Sequence, residues 1–211
     1  MKKYKVSILM TVYNHQRYVS KSIKSILNQN YKNFELIVIN NGSSDNSLDK
    51  IKKFKDKRIK IFNLGKNIGR TNCLNFGLKK CNGKYIAIQD SDDISKKNRI
   101  VTQVNYLDKN KKITLVGSNY SIIDRKGKII GFENLKINLT ANPKIILFKN
   151  IIGHSTVMYR KNVIKFTKGY PSNFVYAQDY AFYLKIISKF KISLLQDNLV
   201  SLRLNHTESE S

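Results

Sequence analysis

The sequence predicts an α/β protein with a doubly wound, mostly parallel sheet and a smaller, less regular second half. Three observations predict it. Up to about residue 112, short apolar runs alternate with segments of helical period, the signature of strand–helix repeats. Three of those runs end in polar clusters: Thr11-Val12-Tyr13-Asn14, Asn40-Asn41-Gly42-Ser43 and Asp90-Ser91-Asp92-Asp93. From about residue 113 the alternation fades. A ligand of such a sheet sits beyond the carboxyl ends of its strands, so the clusters mark one prospective site.

The elements follow in order. Val6 to Met10 reads as a buried strand, and Val19, Ile23, Ile26 and Leu27 share one helical face behind it. Phe34 to Ile39 is a second buried strand ending in a dense turn signal. Leu48, Ile51 and Phe54 predict a short helix, and Ile59 to Phe62 a third strand. Leu74, Leu78 and Cys81 mark a helix, with Gly83 expected as a left-handed cap. Tyr85 to Ile88 is a fourth strand. Ser95 is the expected N-cap of a helix presenting Ile100, Val104 and Leu107. Beyond it the pattern predicts strands over Ile113–Ile123, Ile129–Ile130, Thr156–Tyr159 and Ile192–Leu204, with helices over Pro143–Ile152 and Ala181–Ile187. The halves 1–112 and 113–211 are read as donor-side and acceptor-side parts of one domain.

A chain of 211 residues with 41% hydrophobic and 25% charged residues is an ordinary globular protein. It is long enough to bury roughly 70% of its unfolded surface without staples. No apolar run approaches the ~20 residues of a membrane span. No apolar segment follows the N-terminal lysines as in a secretory leader. Cys73 and Cys81 lack disulfide or metal spacing and read as core residues of one helix, so a reducing cytoplasm is the expected setting. The net charge of +25 suggests an anionic partner; the equal alternative is lysine drift in an AT-rich genome.

Candidate chemistry lies at three places. Asp90, Asp92 and Asp93 stand together in a chain with only 14 acidic residues. If the segment is extended, Asp90 and Asp92 face one side and suit a hard divalent ion; the other reading is a solvated acidic turn before a helix. Gly65, Gly69 and Gly77, with Asn67, Asn72 and Arg70, fit either an approach to a diphosphate or an ordinary loop. Asp179 is a general-base candidate or a helix-start aspartate. His15, His154 and His206 share no ligand spacing and read as structural or surface residues.

Taken together, these stretches resemble family 2 glycosyltransferases, inverting enzymes of GT-A fold. The resemblance runs from Val6 to His206. It rests on Thr11-Val12-Tyr13-Asn14, Ser22 to Gln29, Phe34 to Asp45, Asn67-Ile68-Gly69, Gly83 to Asp93, His154 to Arg160, Gln178-Asp179 and Leu202 to His206. It implies a nucleoside-diphosphate sugar donor, UDP-linked first, held by Thr11, Tyr13, Asn40, Gly69 and Arg70 with Asp90 and Ser91. It further implies Mn²⁺ or Mg²⁺ on Asp92 with Asp90 in support, and Asp179 as the catalytic base. The product class is a hexosyl or N-acetylhexosaminyl transfer to a glycan, lipid-linked or envelope acceptor. Three departures stand out. Asn40 and Asn41 replace an acidic pair whose first member accepts from uracil N3–H in the family. Gln178 replaces Glu, and His206 is shifted by one residue.

Alternatives are an inactive nucleotide-sugar-binding relative, a nucleotidyltransferase and a basic nucleic-acid-binding module. The last is disfavoured because the lysines are dispersed and arginines few. The sequence stops at Ser211, shortly after the last motif, and predicts a catalytic core without a long extension. The lysine runs at Lys50–Lys60 and Lys109–Lys112 predict peripheral, salt-sensitive contact with an anionic membrane.

Overall fold

The first strand shows why this sequence forms layers. In β1 (Val6–Val12), Val6, Ile8, Met10 and Val12 bury on one face of a sheet while Leu9 buries on the other. Period-two alternation with both faces apolar requires helices on both sides. The computed structural model describes residues 5–174 and 176–204. It supplies those helices.

The order continues α1 (Val19–Leu27), β2 (Phe34–Asn40), α2 (Ser47–Lys52), β3 (Ile59–Asn63), α3 (Arg70–Lys80), β4 (Tyr85–Ile88), β5 (Ile94–Ser95) and α4 (Arg99–Lys109). The second half adds β6 (Ile113–Ile123), β7 (Ile129–Glu133), β8 (Met158–Arg160), α5 (Ile164–Thr167), α6 (Gln178–Ile187) and β9 (Lys191–Arg203). One sheet runs through both halves in the order β3-β2-β1-β4-β8-β6-β9-β5, with β7 beside β6. β1 to β4 are parallel. β8 enters antiparallel between β4 and β6, and β9 runs parallel to β6.

Two apolar cores flank this sheet. One packs Val19, Ile23 and Ile26 of α1 and Ile100, Val104 and Leu107 of α4 against Ile8, Leu36 and Ala87. The other packs Cys73, Leu74 and Leu78 of α3 and Phe182, Tyr183 and Ile186 of α6 against Leu9, Ile37 and Ile88. Burial pushes the Cys73 and Cys81 thiols up to about 12, which leaves both as inert packing groups.

Three local expectations are corrected. Ser95 caps no helix: it pairs with Val200 in β9, and α4 begins after Asn98. Gly83 is not left-handed. α3 ends on extended Cys81, and Gly83 is needed because a Cβ there would lie 2.4 Å from the Ser7 nitrogen. The helix expected over Pro143–Ile152 is only a 3₁₀ turn, Pro143–Leu147. His206 lies outside the described residues.

Candidate active site

The parallel strands deliver their polar ends to one concavity. Thr11, Val12 and Tyr13 follow from β1, Asn41 from β2, and Asp90 and Ser91 from β4. Asn67, Gly69 and Arg70 come from the loop opening α3, and Tyr176 to Asp179 from the start of α6. They line a cavity of about 690 Å³, in the range of small-molecule sites. A second cavity of about 420 Å³ shares His15, Arg70, Asp90 and His154 and adds Asp92 and Asp93.

Residues 90–93 form a tight turn, not an extended segment: the Asp93 N–H donates to the Asp90 carbonyl at 3.2 Å. Aspartate and serine favour turns, and here they override strand continuation. The turn sits on a buried polar frame. Ser22 Oγ and Gln89 Nε2 donate to the Asp90 carbonyl, and Gln89 Nε2 also donates to the Asp93 carbonyl. Arg99 lies fully buried beneath, donating to Gln89 Oε1, Ser95 Oγ and the Ile88 carbonyl. Burial pushes its guanidinium down to about 9, and Asp93 and Asp90 counter that. Arg203 closes the far side. Its N–H donates to Asp93 Oδ1 at 2.8 Å, and its Nε to the Asp92 carbonyl at 3.0 Å.

Arg70 donates to Asp90 Oδ1 at 2.7 Å, and His154 Nδ1 stands 3.4 Å from the same oxygen. Burial alone would raise the Asp90 carboxyl, but Arg70 and His154 outweigh it and hold it well below the usual range. Asp92 goes the other way, raised by burial and by the charge of Asp90. His15 Nδ1 lies 2.6 Å from Ser91 Oγ, joining the β1 loop to the acidic turn.

The two asparagines at the end of β2 part company. Asn40 is buried, donates to Asn63 Oδ1 at 2.8 Å, and does not line the cavity. Asn41 does line it. Its Oδ1 accepts from the Ile68 N–H and its Nδ2 donates to Asn67 Oδ1, which also accepts from the Gly69 N–H. Since a backbone N–H can only donate, these contacts fix both amide orientations. Asp179 lies in the first turn of α6, after Ala177 in left-handed backbone, and its Oδ2 accepts from Asn150 Nδ2 at 3.2 Å.

The sequence profile described as Glycosyl transferase family 2 matches residues 7–183, most of the chain. The chain belongs to this glycosyltransferase family.

Named relatives agree. It is 38% identical to an uncharacterized glycosyltransferase of Haemophilus influenzae, over 98% of this chain and 67% of that protein. Against the O-antigen biosynthesis glycosyltransferase WbnJ of Escherichia coli it is 36% identical, over 95% and 78%. Against the E. coli UDP-Glc:alpha-D-GlcNAc-diphosphoundecaprenol beta-1,3-glucosyltransferase WfgD it is 32% identical, over 99% and 80%. The fold is GT-A. S. aureus TarS 1-349 in complex with UDP-GlcNAc superposes with a TM-score of 0.81 at 22% identity, over 97% of this chain and 60% of that one. The chain thus spans about three-fifths of that solved chain.

For this glycosyltransferase the donor set bears on a metal. Among the described residues no three His, Cys, Asp or Glu side chains converge as a metal-holding group. Asp90 and Asp92 border one cavity, where burial first and the charge of Asp90 second raise the Asp92 carboxyl. One or two carboxylates completed by phosphate oxygens and water suit Mg²⁺, so the residues fit a divalent ion that arrives with a diphosphate.

The cavity holds Thr11, Tyr13, Gly69, Arg70, Asp90, Ser91 and Asp179 together, while Asp92 borders the adjoining one. The sequence points to Asn40, yet Asn41 lines the cavity, and so do His15 and His154, which the sequence reads as structural or surface residues. Ligand spacing along the chain is no guide to either histidine, because the sheet order brings His154 to Asp90 and His15 to Ser91.

Proposed function

We propose that the protein transfers a sugar from a nucleoside-diphosphate sugar, UDP-linked in the first instance, to a hydroxyl of a glycan or lipid-linked envelope acceptor, with inversion. The observation that carries this reading is that Asp90 and Asp179 face one cavity from opposite halves of the chain. One end suits a diphosphate and the other a nucleophilic hydroxyl. A solved structural relative is described as bound to UDP-GlcNAc, another as bound to GDP-Man and Mn²⁺, and the relative WfgD is named for a diphosphoundecaprenol substrate.

In this reading Thr11, Tyr13 and Asn41 hold the nucleoside, and Gly69 leaves room for the sugar diphosphate. Arg70, charged at all working pH and held so by Asp90, turns toward the diphosphate. Asp92, with Asp90 in support, would hold the Mn²⁺ or Mg²⁺, which when bound supplies positive charge against that building on the leaving diphosphate. Asp179 Oδ1 takes the acceptor proton while Asn150 holds Oδ2. A single displacement at the anomeric carbon inverts its configuration. The transferred unit is a hexose or N-acetylhexosamine, and the reaction belongs on the cytoplasmic side, where nucleotide sugars are made.

The test is Asp179→Asn. It keeps size and hydrogen bonding but removes the proton acceptor. Transfer falls by roughly 10²–10⁴, the worth of a positioned base, while UDP binding persists. Near wild-type transfer in this variant would show that the base lies elsewhere.

A further inference from the structure

Two segments bracket Asp179. The turn Pro143–Leu147 and the loop to Asn150 are tied to α6 by the Tyr180 hydroxyl, which donates to the Ile146 carbonyl at 2.6 Å, and by the Asn150–Asp179 bond. Residues 171–174 and 176–177 lie just before α6. These segments carry Leu147, Phe148, Phe174 and Tyr176 at 56%, 87%, 43% and 85% exposure. Large exposed apolar side chains carried by two segments at one end of a helix suit an interaction site.

The same region is basic without compensation. Between Glu133 and Asp179 the sequence contains no acidic residue, and Lys144 and Lys149 stand exposed in the segment that carries Leu147 and Phe148. An apolar rim studded with ammonium groups matches one partner chemistry: acyl chains take Leu and Phe, anionic headgroups take Lys, and a phenol suits the boundary between them.

We propose that this rim is the surface by which the protein lies on an anionic lipid bilayer, with the mouth of the cavity turned toward the headgroups. The proposal rests on the transfer reading, since a mouth so turned receives a lipid-borne acceptor. It moves the membrane contact away from the lysine runs noted in the sequence. Lys52 ends α2 and Lys109 ends α4, before β3 and β6 respectively, which places those runs at the amino ends of the strands. The cavity is at the carboxyl ends. A bilayer held by the runs would face the wrong end of the sheet.

The chain has no tryptophan, so Phe148→Trp gives a unique reporter. With vesicles of phosphatidylglycerol and phosphatidylcholine in equal parts, its emission shifts to the blue and is quenched by brominated acyl chains; with phosphatidylcholine alone the shift is small. Leu147→Ser with Phe148→Ser weakens co-sedimentation at least about tenfold. Changing Lys52, Lys53, Lys55 and Lys57 together to Gln leaves it within about threefold. UDP titration of each variant separates the two readings. A wild-type chain that binds vesicles through the rim but not UDP counts against the transfer reading alone. The rim assignment is overturned by an unshifted indole emission in the Phe148→Trp variant, by loss of binding in the Lys→Gln variant with retention in the Ser variant, or by a rim-dependent dimer in light scattering without vesicle binding.

Discussion

Arg70 and Asp90 form an ion pair of 2.7 Å at the wall shared by the two cavities, with the guanidinium 44% exposed and the carboxylate 19%. The pair occupies the carboxylate that the proposed reaction needs near a diphosphate. Arg70 therefore has two partners to choose between, one within the chain and one brought by the donor.

Replacing Arg70 with Met should expose that competition. UDP affinity without added metal falls by about tenfold or more, the scale of a lost charge-assisted hydrogen bond. Mn²⁺ affinity rises, because the negative charge of Asp90 and Asp92 loses its internal cation. Calorimetry with UDP, with Mn²⁺ and with both reads the two opposite changes. Equal affinities in variant and wild type would show that Arg70 merely props the turn.

Asp92→Ala should remove the dependence of UDP binding on Mn²⁺ and leave the fold intact. Asp92 makes its backbone contact to Arg203 through the carbonyl, which alanine keeps. Comparing UDP binding with Mn²⁺ and with a chelator tests this. The metal assignment fails if the variant still responds to Mn²⁺ as the wild type does.

Glu35 predicts a pH-dependent stability. Its carboxylate is fully buried and accepts from Lys60 Nζ, Ser7 Oγ and the Asn82 N–H. Burial pushes the carboxyl up, but those donors outweigh it and the net shift is down. A depressed folded value contributes stability above the unfolded value of about 4.3, lost as pH falls through the folded one. Glu35→Gln should cost about 1–3 kcal/mol at pH 7, the scale of buried donors that lose a charged acceptor, since Lys60 is 40% exposed and turns to solvent. The difference from wild type should narrow in urea titrations below about pH 4. A constant difference would mean that shape, not charge, sets the cost.

Gly42→Ala tests the turn after β2. Gly42 has φ +70°, and an added Cβ would lie 2.3 Å from the Lys66 carbonyl carbon. The left-handed strain alone costs on the order of 1–3 kcal/mol, and the clash displaces Asn41. Thermal unfolding and UDP titration should both worsen; a variant that unfolds earlier but binds UDP normally would detach Asn41 from the nucleoside.

How far the sequence could be read follows from contact distance along the chain. Tyr85–Ile88 coincides with β4, and the other three parallel strands are legible because each is a local apolar run ended by turn residues. The Asn-Asn-Gly-Ser cluster was visible as a turn for the same reason. What the sequence hid was pairing. β8 is three residues long, and its place between β4 and β6 has no local signal. The sequence leaves residues 90–93 open between an extended segment and an acidic turn, and the tie that fixes the turn comes from Arg203, 110 residues from Asp93. The sequence points to Asn40, whereas Asn41 lines the cavity, because strand parity decides which of two identical neighbours faces it, and that parity depends on where β2 ends.

The tie between Arg203 and the acidic turn sets a schedule for synthesis. Ribosomes deliver Asp90 to Asp93 early, when less than half of the chain exists. The donors that hold Asp93 Oδ1 and the Asp92 carbonyl arrive only with the last residues of β9. A nascent chain halted between them would carry every residue proposed to bind the donor, yet lack the strand that locks the turn. The acidic turn is then written well before the strand that locks it.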